Sequence, residues 1–329
     1  MSALSPSGPT STPFRRARAR EGGFAALALL VERGPTESLR SLALASPPMK
    51  VALAAYERPE QAEADHQRGL GREAFPYAGA MLDPQGRAGA TDEIAVLYES
   101  IGFRWSDSGV GADHLATQLR AMAFLLGAET EASEDRQHGA WGRVREAQRA
   151  VLDQSLLRWL PVWAVGQQRT GLAWPRSLSE QVLNLCLLVR SELQRAADQP
   201  WVLPPPPDLD DRETDLTAIA ALIARPALGG VLFTRSELRR AARDAGAPAG
   251  FGPRPQIVLN ALRSAATFGT LPALLEGLQR IAAEQTAQLL KLQSENIAGV
   301  DAAVRPWLRR AAWTQDQLAR VAAAAQVGA

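Results

Sequence analysis

The chain is predicted to be all-α, a multi-helix bundle followed by a smaller helical C-terminal region. Three observations carry that expectation. Apolar residues recur at spacings of three and four, the period of an amphipathic helix, and no run alternates at period two for long. Ala and Leu are abundant while aromatic residues make up only 6%, which favours helix over strand. Pro35, the Pro47-Pro48 pair and Pro59 separate short periodic stretches, as expected of a residue that cannot continue a helix. At 329 residues, 46% hydrophobic and 22% charged, the chain has ordinary globular proportions and enough length for one large core or two domains.

Residues 1–18 begin rich in Ser, Pro and Thr and read as a mobile arm. The helical pattern starts at Glu21 and continues in three short stretches up to Pro59. Glu60 to Phe75 reads as a charged surface helix; His66 lies in it without an apolar stripe around it. Pro76 to Gly89, with Asp83-Pro84-Gln85-Gly86, reads as an extended loop containing a turn. Asp92 introduces a helix ending near Phe103, and a polar connection leads to Gly111.

From Gly111 runs the stretch on which polar and apolar information coincide. Leu115, Leu119, Met122, Ala123 and Leu126 form one helical stripe, and Asp113 and His114 stand at its first turn. Asp113 is open to two readings, a cap on free backbone N–H groups or a partner for a cationic ligand. His114 is open to two as well, since Gln118 four residues on could orient its imidazole for structure or for binding. Glu129, Glu131, Glu134 and Asp135 then place four carboxylates in seven residues, a solvated helix end or a cation site.

Gly142 to Gln168 is expected to hold one or two helices with Trp159 and Trp163 on one face, and Leu178 to Ala197 one long helix. Four consecutive prolines make 204–211 a stiff linker closing a first domain over 19–203. Helices at 212–225, 234–245, 254–268, 271–295 and 299–326 fill the remainder, 212–329, the second of these opened by a capping box at Thr234 and Glu237.

Most chemistry is excluded. There is no phosphate-binding glycine loop, no dinucleotide fingerprint and no nucleophile elbow, so no enzyme and no cofactor are expected. The single Cys186 precludes an intrachain disulfide, and none of the three His has a second ligand at metal-binding spacing, so no structural zinc is expected. Phe14-Arg15-Arg16 and the apolar run to Val31 lack the small cleavage-site residues of an export signal, and no stretch approaches the roughly 20 apolar residues of a membrane span. The expected location is therefore the cytoplasm, without membrane insertion. A net charge of +1 argues against a nucleic-acid-gripping molecule as a whole. Locally, Thr234 to Arg243 looks like the opening of a helix-turn-helix, which makes a nucleic-acid regulator the alternative function, although the connection Gly250-Phe-Gly-Pro-Arg-Pro is longer than that motif's turn.

Asp113-His114-Leu115 followed by Gln118-Leu-Arg-Ala-Met-Ala-Phe-Leu resembles the Asp-His-x-x-x-Glu-Leu-x-Phe-Met helix of the TorD/DmsD/NarJ family, cytoplasmic chaperones of molybdenum enzymes. Phe75-Pro76-Tyr77 and Ile94 to Phe103 resemble its Pro-Tyr segment and the following helix ending in Tyr-x-x-x-Gly, and Val151 to Pro161 its Phe-x-x-x-His-Leu-x-x-Trp helix. Stretches beginning at Gly230, Gly250 and Asn260 are similar to a C-terminal helical extension on some of these chaperones. Three positions depart from the pattern: Gln118 replaces the Glu, Ser155 the His, and Ala121-Met122 the Phe-Met pair, with Phe124 displaced by three. The resemblance implies a TorD-like domain over 19–203 that binds the precursor of a molybdopterin-containing oxidoreductase, either its apo catalytic subunit or its twin-arginine signal peptide. It also implies help with cofactor insertion before export or assembly, by a monomer or a domain-swapped dimer. Such a peptide joins two guanidinium groups to an apolar segment and calls for carboxylates beside an apolar groove. Asp113, His114, Gln118, Glu129, Glu131, Glu134 and Asp135 are the candidate contacts.

Overall fold

The computed structural model describes residues 13–85, 89–105, 110–193, 201–207, 209 and 216–327. Its regular structure is helical throughout, and among the described residues the sole sheet-like feature is one antiparallel bridge between Tyr77 and His114. The expected all-α class is thus the observed one. The first half comprises α1 (Pro13–Arg33), α2 (Glu37–Leu44), α3 (Pro47–Ala54), α4 (Pro59–Arg68), a π-helical turn (Gly69–Glu73), α5 (Ala78–Leu82), α6 (Gly89–Ser100), α7 (Leu115–Glu134), α8 (His138–Gln154), a 3-10 turn (Leu156–Arg158), α9 (Leu160–Arg169) and α10 (Ala173–Glu192). The second comprises α11 (Leu216–Ala224), α12 (Pro226–Gly229), α13 (Arg235–Asp244), α14 (Arg254–Thr267), α15 (Leu271–Ser294) and α16 (Val300–Val327). Proline at the first or second position opens α3, α4, α9, α12, α14 and α15, where its missing N–H has no intrahelical partner to lose.

The helix α7 is the centre of the first core. It is apolar nearly all round, with Leu115, Leu119, Met122 and Leu126 fully buried, and a helix of that kind must be enclosed by others. Packed chiefly against α7 are α1 and α8. The α1 pairing is antiparallel: Glu32 meets Arg120 near the start of α7, and Glu21 lies beside Gly127 near its end. Of the expected mobile arm, residues 1–12 lie outside the described residues. Residues 13–18 are the first turns of α1, with Ala17 buried and Arg16 3.6 Å from Glu192.

Two local expectations are corrected. The stretch from Glu60 is no plain surface helix, because Ala62 and His66, four residues apart, turn one face of α4 inward, and His66 Nδ1 accepts from the Trp174 indole at 3.3 Å. Nor is the segment after Pro76 wholly extended, since it contains α5, capped from outside by Asp113. The long helix expected from Leu178 begins earlier, at Ala173, and 194–200 lie outside the described residues.

The second half has its own core, built on Ile223, Phe233, Leu262 and Leu275, yet it does not stand apart. Trp307, Val304 and Leu232 join the first core, and the Trp307 indole donates to Arg158 O at 2.8 Å. Backbones approach closely where glycine allows it. A Cβ at Gly166 of α9 would lie 2.4 Å from Leu232 Cδ2, and one at Gly230, which has φ of 69°, would lie 2.6 Å from the Ala311 N. Between the halves sits a buried ion pair: Arg169 Nε donates to Glu237 Oε1 at 2.8 Å, and the same guanidinium reaches Leu232 O at 2.6 Å. Glu237 also completes the capping box at Thr234 that the sequence forecasts. The Glu73 carboxylate accepts from Ser236 N at 2.8 Å and Arg254 donates to Glu73 O at 2.7 Å, so the π-helical turn is clamped to the start of α13.

Removing one member of a buried pair leaves an unneutralised charge, whereas removing both does not. Arg169→Met is expected to lower unfolding free energy by about 3–5 kcal/mol, and Arg169→Met combined with Glu237→Gln, which keeps the capping acceptor, to recover most of the loss. Urea unfolding of the four-member mutant cycle checks this; equal losses in the single and double variants would contradict it.

Candidate functional site

The chain enters α7 through residues 110–114, and this entry is where the candidate residues converge. His114 is extended, with φ of −69° and ψ of 139°, and its Nδ1 accepts the Ala116 N–H at 3.1 Å, so the N-cap of α7 is the imidazole rather than the carboxylate. An accepting Nδ1 requires the neutral ring with its proton on Nε2. Asp113 caps a neighbour instead. Its backbone O accepts from Ala78 N and its Oδ2 from Gly79 N, both at 3.0 Å, at the first turn of α5. Leu115 N donates to Pro76 O at 2.8 Å, closing the bridge that lays Phe75-Pro76-Tyr77 against the α7 entry, and the Tyr77 ring meets His114 edge-on at 4.7 Å. The Tyr98 hydroxyl donates to Ala112 O at 3.0 Å; burial and the nearby Asp113 charge push the phenol well above its ordinary range.

Gln118 is fully buried and its amide is engaged at both ends. Nε2 donates to Asp113 O at 2.8 Å, and Oε1 accepts from Ser155 Oγ at 2.7 Å and the Trp159 indole at 3.3 Å. Sequence spacing gave no sign that Ser155 and Trp159 belong to this cluster. The two polar departures from the family pattern, Gln118 and Ser155, therefore touch each other.

Two features are left with unused capacity: one carboxylate oxygen of Asp113, a residue 7% exposed, and the ring surface of Phe75 and of Phe124, nine residues beyond the start of α7. Asp113 Oδ1 takes no donor among the described residues. Phe103 packs on Phe124 at 5.7 Å and on Tyr98 at 5.0 Å, with Trp105 5.6 Å from Tyr98, and Phe75 and Phe124 are each 45% exposed. Between α6 and the end of α8 lies a notch of about 490 Å3 lined by Asp92, Glu93, Val96, Leu97, Gln154 and Arg158. Glu93 is paired with Arg158 at 3.2 Å, and Asp92 has no ion pair among the described residues. The sequence signal for Asp92 was that of a helix opener, which hid its place beside the exposed Val96.

The acidic segment is elsewhere. Seventeen to twenty-one helical residues separate His114 from Glu131 and Asp135, about 25–30 Å, so the candidates form two sites rather than one. Glu129 is buried and engaged, accepting from Arg145 at 3.0 Å and Gln148 at 2.8 Å. Glu131, Glu134 and Asp135 are exposed; Asp135 accepts weakly from Gln137 at 3.4 Å. No group of three or more His, Cys, Asp and Glu among the described residues is arranged to hold a metal, and no described helix is long and apolar enough to cross a membrane. The segment from Arg235 has no short helix-turn-helix connection: nine residues separate α13 from α14.

Residues 51–165 match the family described as nitrate reductase delta subunit, a stretch running from α3 to α9 and enclosing the whole α7 entry. No curated protein and no solved structure matches the chain.

Burial holds the imidazoles of both His66 and His114 at about 4, well below the ordinary 6.5. Both are acceptors in the folded chain, so protonation removes the acceptor. With the folded value depressed, the unfolded chain takes up protons first as pH falls. Stability is expected to be fully present above about pH 6.5 and to decline steadily towards pH 4, by at most about 3 kcal/mol per imidazole. Guanidinium melts at intervals between pH 7.5 and 4.5 test this, and a midpoint unchanged across that window would refute it.

Proposed function

We propose that this chain, which belongs through residues 51–165 to the NarJ/TorD-type chaperone family, binds the immature catalytic subunit of a molybdopterin-containing oxidoreductase in the cytoplasm. It holds that client, by its twin-arginine signal peptide, until the cofactor is inserted. The observation that carries the reading is the Asp113 carboxylate inside the matched stretch, with one oxygen fixed by α5 and the other without a donor among the described residues, together with the partly exposed rings of Phe75 and Phe124 in that same stretch. A guanidinium followed by apolar residues fits such a place, since the pre-fixed carboxylate accepts a charge-assisted bond while the rings take the apolar part. His114 and Gln118 hold the frame rather than the ligand, each already engaged inside the fold. Glu131, Glu134 and Asp135 offer a second cationic contact, and an extended peptide of about eight residues covers the separation. Glu129 orients α8 beneath them.

The test is a fluorescent peptide carrying two consecutive arginines before a run of about ten apolar residues, titrated against the full chain. Binding should weaken with added salt, because exposed charges are screened over about 8 Å at physiological ionic strength. Asp113→Asn keeps an oxygen for the Gly79 N–H, so the melting temperature should hardly move, while affinity should fall by about 1.5–3 kcal/mol if the carboxylate meets a guanidinium. Unchanged affinity in a well-folded Asp113→Asn protein would remove this residue from the site. Mass spectrometry of proteins that co-purify with the chain identifies the client; recovery of none related to molybdenum enzymes would count against the assignment.

A further inference from the structure

The described part of the proline-rich connection, residues 201–207, runs along α16 and encloses with it a trough of about 450 Å3. Trp201, Val202 and Pro206 form one wall, and Arg305, Arg309 and Trp313 the other. The apolar part is open to ligand: Val202 is 78% exposed and both indole rings are half-buried. The Trp201 indole nitrogen is fixed by donating to Ala302 O at 3.0 Å, whereas that of Trp313 has no partner among the described residues. The charged part is uncompensated. Arg310 donates to Ala227 O at 3.2 Å, to Leu228 O at 2.9 Å and to Pro204 O, three carbonyls and no carboxylate, and its guanidinium lies over the Trp313 ring at 6.0 Å. Arg309 is exposed and makes no ion pair among the described residues; Arg305 alone is paired, with Asp301. The whole region 216–327 shares the bias, with 13 Arg and Lys against 7 Asp and Glu. Pro204 to Pro207 have no N–H, so this stretch of the wall offers a peptide backbone no donors, and rings and cations supply the main recognition.

We propose that this trough binds a peptide segment of a partner protein in which a carboxylate stands beside a bulky apolar side chain, the apolar group between Trp201 and Trp313 and the carboxylate on Arg309 and Arg310. That the partner is the client oxidoreductase rests on the function proposed above; the peptide chemistry does not. Drug-sized ligands fill pockets of this volume, and a few residues of peptide are of that size.

The probe is a fluorescein-labelled peptide with the central sequence Asp-Phe-Leu-Glu, titrated against the full chain by anisotropy. The expected result is saturable, salt-sensitive binding that weakens roughly tenfold or more in Arg309→Glu and in Trp313→Ala, and similarly when the peptide carries Asn-Phe-Leu-Gln. Arg309 is exposed, so its charge reversal should leave the melting curve unchanged and separates lost binding from lost folding. No binding to the unaltered chain, equal binding of the neutral peptide, or indifference to both substitutions would overturn the proposal, as would displacement of the peptide by a short DNA duplex, which would make the site a phosphate groove. The arginine peptide read in parallel keeps the two readings apart. Loss of its binding with the acidic probe still bound sinks the proposed function alone, and the reverse sinks this inference alone.

Discussion

The buried amide of Gln118 is the interaction on which the first half depends. An amide removed from water must satisfy both ends, and an unmatched end costs about 1–3 kcal/mol. Here its partners come from three places in the chain: the residue before the α7 cap, the 3-10 region at Ser155, and Trp159. Satisfying them fixes the register of the α7 entry against α9 and, through Asp113 and the Tyr77 bridge, the position of α5. The pattern that the sequence resembles has Glu and His where this chain has Gln118 and Ser155. Those two side chains meet at 2.7 Å, so both departures fall in one contact, which here is neutral. The contact carries no proton that titrates near neutrality, whereas burial holds the imidazoles of His66 and His114 in this half below their ordinary value.

Periodicity made most helices legible because each of them buries a face against some neighbour, and the stripe does not depend on which neighbour. The last four C-terminal helices fall within a residue or two of their expected limits, as with 271–295 for Leu271–Ser294, whereas the short α12 is not among those expected and 212–215 of the helix expected before it lie outside the described residues. What periodicity cannot convey is a burial imposed from a distance. His66 and Glu73 lie in a charged stretch with no stripe, and are enclosed by Trp174 and Ser236, 108 and 163 residues away. The same limit applies at the site. The position of Asp113 and His114 at a helix start was readable from the chain, but the exchange of capping duties, with His114 serving α7 and Asp113 serving α5, follows from a segment more than 30 residues upstream. Gln118 looked like a polar neighbour for His114, and its burial by Ser155 and Trp159 left no trace in its own helix.

The second half is joined to the frame of the first. Trp307 seats on Arg158, whose own guanidinium reaches Glu93 on α6 and stacks over Trp201 at 5.3 Å. α12 packs on α5, and Arg225 donates to Pro84 O just beyond it. The helix that Asp113 caps is thus touched from both sides, by the α7 entry and by the C-terminal region. A change in how α12 sits would reach the carboxylate through a single short helix.

The proline run has one more consequence. A segment on a protein's surface with free backbone donors and acceptors offers a strand of another chain an edge to pair with. Residues 201–207 belong to no helix and are partly exposed, with Val202 outermost. Four prolines in a row remove the donors from 204–207, leaving carbonyls alone there, of which Pro204 O is already taken by Arg310. This part of the strap therefore lies at the surface with no donor by which a neighbouring strand could draw it into a sheet.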